Sequence, residues 1–153
     1  MPHIHEKIDF VAEVFIVNRG RVLLRKHDKY KIWLPPGGHI ELDEDPNRAA
    51  IREVKEEVGL DIELLPDCPL PDFKDVTELI PPRFLNRHRI NATHEHVSLI
   101  YFATSRGDKI TQGDTEVSED IRWLTREELN DPSLDVREQV KYYAKAALDA
   151  IKN

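Results

Sequence analysis

Cysteine is almost missing from this chain. Cys68 is the only one, so no internal disulfide can form, and a reducing cytoplasm is the compartment to expect. Long apolar runs are missing as well. The longest, Val97 to Ala103, is interrupted only by Ser98 and is far too short to span a bilayer, so no membrane partner is expected. The opening residues, MPHIHEKIDF, contain no basic segment leading into an apolar one, so no signal peptide is read. Positive charge is in deficit. A net charge of −7 argues against general binding to a nucleic-acid backbone. A small anionic substrate stays compatible, because a bound divalent cation can reverse the local sign. Repeats and low-complexity tracts do not stand out.

What remains is 153 residues, 40% hydrophobic and 33% charged. These values describe a soluble globular chain rather than a disordered one. The length suggests one domain over residues 1–153, with enough mass for its own core. The oligomeric state is left open, a homodimer included.

IDFVAEVFIV, residues 8–17, is rich in β-branched and aromatic residues and reads as a strand. NRG is a turn, and RVLLRK, residues 21–26, returns as the second strand of a hairpin. In YKIWLPPGGHIEL two prolines exclude helix and two glycines permit close backbone approach. A helix is predicted over residues 46–58, with Asp45 as N-cap, Pro46 at the first position and Gly59 as the residue that ends it. Residues 60–65 read as extended. Residues 66–93 hold five prolines and the basic stretch RFLNRHR, and read as a long loop with at most a short strand. Residues 96–104 form the clearest strand, DIRWLT another, and REEL a helical turn. An apolar stripe from Val136 to Ile151 predicts a last helix from about residue 135 to 151. The fold class is α+β, a mixed sheet between two helices.

On a helical wheel Ile51, Val54 and Val58 share one side and are expected to face the core. Glu53, Glu56 and Glu57 cluster roughly 140° away from that apolar centre. Their i, i+3 and i+4 spacings make the side chains converge, at a cost of about a few tenths of a kcal/mol per like-charged pair. A solvated acidic face, with Arg52 and Lys55 as partial counter-ions, accounts for that pattern. So does a cluster of hard oxygen ligands of the kind that Mg²⁺ or Mn²⁺ selects.

Gly38 is followed by HIELD, then Glu44, then DPNRAAI, then REVKEEVGL. This resembles the signature of the Nudix hydrolases, with each fixed position filled: Gly38, Glu44, Arg52, Glu53, Val54, Glu56, Glu57, Gly59 and Leu60. The resemblance implies a Nudix-type α/β/α sandwich. It also implies divalent-metal-dependent hydrolysis of a nucleoside diphosphate linked to another group, a small-molecule nucleotide substrate. Glu53, Glu56 and Glu57 would bind metal or activate water, Gly38 (or Gly37) would offer a carbonyl, and Arg52 would pair with Glu44 or a helix glutamate. Relatives often draw a further metal-binding acid from a later loop, for which Glu116 and Glu119 are candidates. A non-catalytic Nudix-fold domain that senses a nucleotide or docks a partner is the alternative from another class.

Outside the motif, Arg25, Tyr30 and Trp33 are candidate substrate contacts, a cation for phosphate and rings for stacking. For Trp33 a place in the core competes with that role. His94 and His96, sharing one face in HEH, could form a second metal position, a base, or a polar strand edge. Arg83, Arg87, His88 and Arg89 make a basic patch that could steer polyphosphate or be solvated. The zinc-finger-like cysteines of some NADH pyrophosphatases are absent. The tyrosine or proline that marks the dinucleoside-polyphosphate and ADP-sugar subgroups has no clear counterpart, with Asp75, Val76 and Thr77 in that region. Cleaning of the nucleotide pool is the leading expectation for substrate.

Overall fold

A computed structural model describes residues 6–113 and 117–152. The hairpin is present: β1 (Ile8–Asn18) turns into β2 (Arg21–His27) through Arg19 and Gly20, both at positive φ. Such a turn carries the right-handed twist of the flanking strands. β3 (Trp33–Leu34) pairs with β2, and β4 (Gly37–His39) runs antiparallel to β1. The helix α1 (Pro46–Val58) has the expected bounds. Asp45 accepts from the Arg48 amide at 2.9 Å, and Gly59 closes the helix at φ 72°, where a side chain would be strained.

The rest of the chain completes one mixed sheet. β5 (Ile62–Leu64), β6 (Phe84–Arg89) and β7 (Glu95–Ser105) form one side of it, and β8 (Ser118–Leu124) pairs with β2 on the other. β1 and β7 lie parallel at the centre, paired from Ile8 opposite Glu95 to Val17 opposite Thr104. The stretch RFLNRHR is therefore mostly strand, its β6 residues pairing with β7. A 3₁₀ turn covers Glu128–Asn130, and the last helix, α2, spans Glu138–Ala150. α2 begins later than the stripe predicts because Asp135 sits at φ 53°, which interrupts a right-handed helix. Val136 is buried without being helical.

β1 is buried on both faces, as a strand between two layers must be. Ala12, Val14 and Ile16 pack towards Ala50, Val54 and Val58 of α1. Phe15 and Val17 pack towards Val140, Ala144 and Leu148 of α2. The α+β sandwich is thus as expected. The orientation of α1 is not. Its buried residues are Ala49, Ala50, Glu53, Val54, Glu57 and Val58, while Ile51 is 45% exposed. The expectation that Ile51 faces the core is corrected. The helix turns two glutamates inward, because the strand beneath them begins Gly37-Gly38 and offers no side chains to fill that space.

Candidate active site

The two glycines of β4 set the geometry. A Cβ on Gly38 would lie 2.5 Å from Glu53 Cδ, so only glycine lets the strand and this carboxylate approach so closely. The Gly37 amide donates to Glu57 Oε1 at 3.0 Å. Glu53 and Glu57 are both nearly inaccessible to solvent, and Glu56 stands out at the surface. Glu53 and Glu57, four residues apart, thus share the dry face of α1, and Glu56 stands at its solvent edge.

Arg52 organises them. Its Nε donates to Glu44 Oε2 at 2.7 Å and its Nη2 to Glu44 Oε1 at 2.9 Å. Nη1 donates to Glu53 Oε1 at 3.0 Å and to Glu56 Oε2 at 3.2 Å. Nη2 also reaches the carbonyl of His39 at 3.1 Å. One planar guanidinium thus bridges three carboxylates and the glycine strand, a fan that the rigid donor fork of arginine permits and a lysine does not. The hydrogen bonds from Arg52 hold the Glu44 carboxyl below the usual carboxylate range, and Glu44 in turn raises the guanidinium of Arg52.

Glu57 is placed differently from its neighbours. Its Oε2 lies 2.5 Å from Arg25 Nε, in a pair whose two side chains are both buried. Arg25 also donates to Ser118 Oγ at 2.9 Å. Arg25, the candidate phosphate contact, is a buried cation that ties β2 and β8 to the helix. Trp33 takes the place in the core that competed with a substrate role. It is 3% exposed within the α2-side core, with the Arg122 guanidinium over its ring at 5.7 Å. Tyr30 is exposed and stacks beside His27, ring centroids 4.8 Å apart. Glu119 lies within ion-pair reach of Lys31 at 3.4 Å and of Lys26 at 3.9 Å. Glu116 falls outside the described residues.

Two groups escaped the sequence reading. Glu13 faces Gly37 in the β1–β4 register, and burial pushes its carboxyl up to about 7. Asp9, four residues earlier on the same strand face, is fully buried. The signal was available: two acids at same-face spacing inside an otherwise apolar strand, where a charge costs free energy unless it is paired. His94 and His96 both lie against Asp9.

A family model described as NUDIX domain matches residues 9–146. A solved NUDIX-family hydrolase from Clostridium perfringens superposes with a TM-score of 0.83 at 32% identity, covering 94% of this chain and 98% of that one. A MutT-like protein of Streptomyces ambofaciens is 29% identical over 143 residues, 92% of this chain and 75% of that protein. An m7GpppN-mRNA hydrolase of Danio rerio is 55% identical over 31 residues, 20% of this chain and 10% of that protein. The chain spans between 10% and 36% of the length of four of the five curated relatives that it matches.

Proposed function

This chain belongs to the Nudix family of diphosphohydrolases, and we propose that it hydrolyses the diphosphate linkage of a nucleoside diphosphate joined to a further group, by attack of water on phosphorus. A nucleoside triphosphate or related small nucleotide is the substrate class, and Mg²⁺ or Mn²⁺ the cofactor. The observation that carries the reading is the fan of Arg52 across Glu44, Glu53 and Glu56 beside the glycine strand.

The residues present fit a hard divalent cation. Glu53 and Glu56 supply carboxylate oxygens, and Gly38 brings bare backbone against Glu53. All are oxygen donors, the set such cations prefer. Glu53 and Glu56 would hold such an ion, which would supply charge neutralisation at the diphosphate and a more acidic water. The chain's own residues do the rest. Arg52 holds the carboxylates at fixed separations, so little reorganisation is needed during the reaction. Glu53 or Glu56 takes the proton of the attacking water. Glu57, through the Gly37 amide and Arg25, fixes the glycine strand against the helix.

The test is an assay of the purified chain with Mg²⁺ or Mn²⁺ against nucleoside triphosphates, ADP-ribose, NADH and dinucleoside polyphosphates. Turnover of at least one, abolished by a chelator, is expected. Binding without turnover across the panel would replace this reading with a nucleotide-sensing domain.

A further inference from the structure

Away from the carboxylate fan, three neighbouring strands bring a second set of ligand-type side chains to one point. Asp9 comes from β1, His39 from β4, and His94 and His96 from the start of β7. The sheet makes the meeting obligatory, since Asp9 is opposite His96 in the parallel β1–β7 register and His39 is opposite Val11 in the β1–β4 pair. Asp9 Oδ2 lies 3.1 Å from His39 Nε2 and 3.2 Å from His94 Nε2. One ligand atom each from Asp9, His94 and His96 falls within 4.8 Å of the others. The His96 ring stands edge-on to those of His39 and His94, with centroids 5.1 and 5.2 Å away.

From this convergence we infer that Asp9, His39, His94 and His96 form a binding site for a divalent transition cation of the Zn²⁺ class, separate from the Mg²⁺- or Mn²⁺-type carboxylate site. Three observations favour it over a purely structural Asp–His network. First, the donor set is three imidazoles and one carboxylate, which suits borderline ions and not Mg²⁺. Second, tetrahedral bonds of about 2.0–2.1 Å to nitrogen and oxygen imply ligand separations of roughly 3.3 Å. The Asp9–His39 and Asp9–His94 separations, 3.1 and 3.2 Å, already have that length, and an ion would draw the imidazoles in towards one another around Asp9. Third, the Nε2 atoms of His39, His94 and His96 are all shielded from solvent, while the opposite nitrogen of His94 is hydrogen-bonded to the Glu6 carbonyl at 3.1 Å. An anchored Nδ1 with Nε2 turned to the cluster is the arrangement by which a protein orients a metal-binding histidine. An ion here would clamp β4 to β1 and β7. β4 carries Gly37, Gly38 and the His39 carbonyl that accepts from Arg52, so the clamp would stiffen the wall of the catalytic site without entering it.

The test uses the purified 153-residue chain stripped with a chelator, then held in excess Mg²⁺ to occupy the carboxylate site. Zn²⁺ is titrated by calorimetry, and Co²⁺ is followed by visible absorption. One equivalent of Zn²⁺ should bind, Co²⁺ should give a four-coordinate spectrum, and Zn²⁺ should raise Tm. His94→Ala and His96→Gln should each weaken Zn²⁺ binding by about 100-fold and abolish the Tm gain. Glu56→Gln should retain the Zn²⁺ equivalent. His96 lies at the cluster's half-buried edge, so His96→Gln keeps the test valid should His94→Ala not fold. Zn²⁺ binding unchanged in His96→Gln, lost in Glu56→Gln, or absent from the wild type would overturn the inference.

Discussion

Arg52 and Glu44 meet through two hydrogen bonds, Nε to Oε2 at 2.7 Å and Nη2 to Oε1 at 2.9 Å. The second arm of the same guanidinium then bridges Glu53 and Glu56. The loop before the helix and two successive helical turns are thus locked together by one side chain. Arg52→Lys keeps the charge and loses the fork. It should lower kcat by about 10- to 100-fold with the circular dichroism spectrum unchanged. Wild-type turnover in that variant would show that the fan is structural decoration.

The Glu44 carboxyl is held low by Arg52. A carboxylate with a depressed pKa in the folded state contributes stability above its unfolded value, near 4.5. That contribution is lost as pH falls through the lower folded value. Urea midpoints of wild type and Glu44→Gln should therefore be separated at neutral pH and converge under acid conditions. Parallel curves down to the acid limit would contradict the pairing.

Glu13 carries the opposite sign. Its pKa is raised to about 7 by burial, so between about 4.5 and 7 the folded state binds more protons than the unfolded one. Stability from this residue is greatest at the acid end and falls as pH rises towards 7. Glu13→Gln removes the slope, so the variant should gain on wild type over that interval, and the gap should level off above it. Denaturant unfolding across this pH range measures the slope directly, and identical pH profiles would rule out the titration.

The two adjacent glycines should behave differently. A Cβ on Gly38 meets the Glu53 carboxylate, the far end of a side chain that can move. Gly38→Ala should fold normally while lowering kcat by about 100-fold, through displacement of a positioned group. A Cβ on Gly37 instead meets backbone, the Ala12 carbonyl oxygen and Glu13 Cα at 2.8 Å. Gly37→Ala should lose about 1–3 kcal/mol of stability. Thermal melts and kinetics of the pair separate the two effects.

Glu56 and Glu57 are adjacent in sequence and differ in surroundings. Glu56→Gln removes an accessible carboxylate and should change stability by under about 0.5 kcal/mol, while kcat falls by orders of magnitude. Glu57→Gln leaves Arg25 as a buried charge without its partner carboxylate, and should lose about 3 kcal/mol as well as turnover. Near-normal kcat in both would sink the catalytic assignment.

Much of α1 was legible because its signals are local. Asp45, Pro46 and Gly59 act within a few residues of themselves, and the helix occupies the bounds they predict. The contact of Arg52 with Glu56 followed from the spacing as well, since helical periodicity places i and i+4 together. The orientation of the helix was not legible. The apolar stripe pointed to Ile51, yet burial went to Glu53 and Glu57, because the space beneath them depends on glycines in a strand some fifteen or more residues earlier. The places of Trp33 and Arg25 were open for the same reason: their types suit a ligand, and only their neighbours show that they serve the core and a buried ion pair.

By itself, the sequence determined the first hairpin, the bounds of α1 and the α+β class, all consequences of short-range periodicity and of residue types that punctuate the chain. Only the tertiary structure decided which carboxylates are dry and which reach water, and that His39, His94 and His96 gather around Asp9. Those residues are spread over most of the first hundred positions. They meet because β4, β1 and β7 are neighbours in the sheet, and strand order is set by packing across the whole fold rather than by any local pattern.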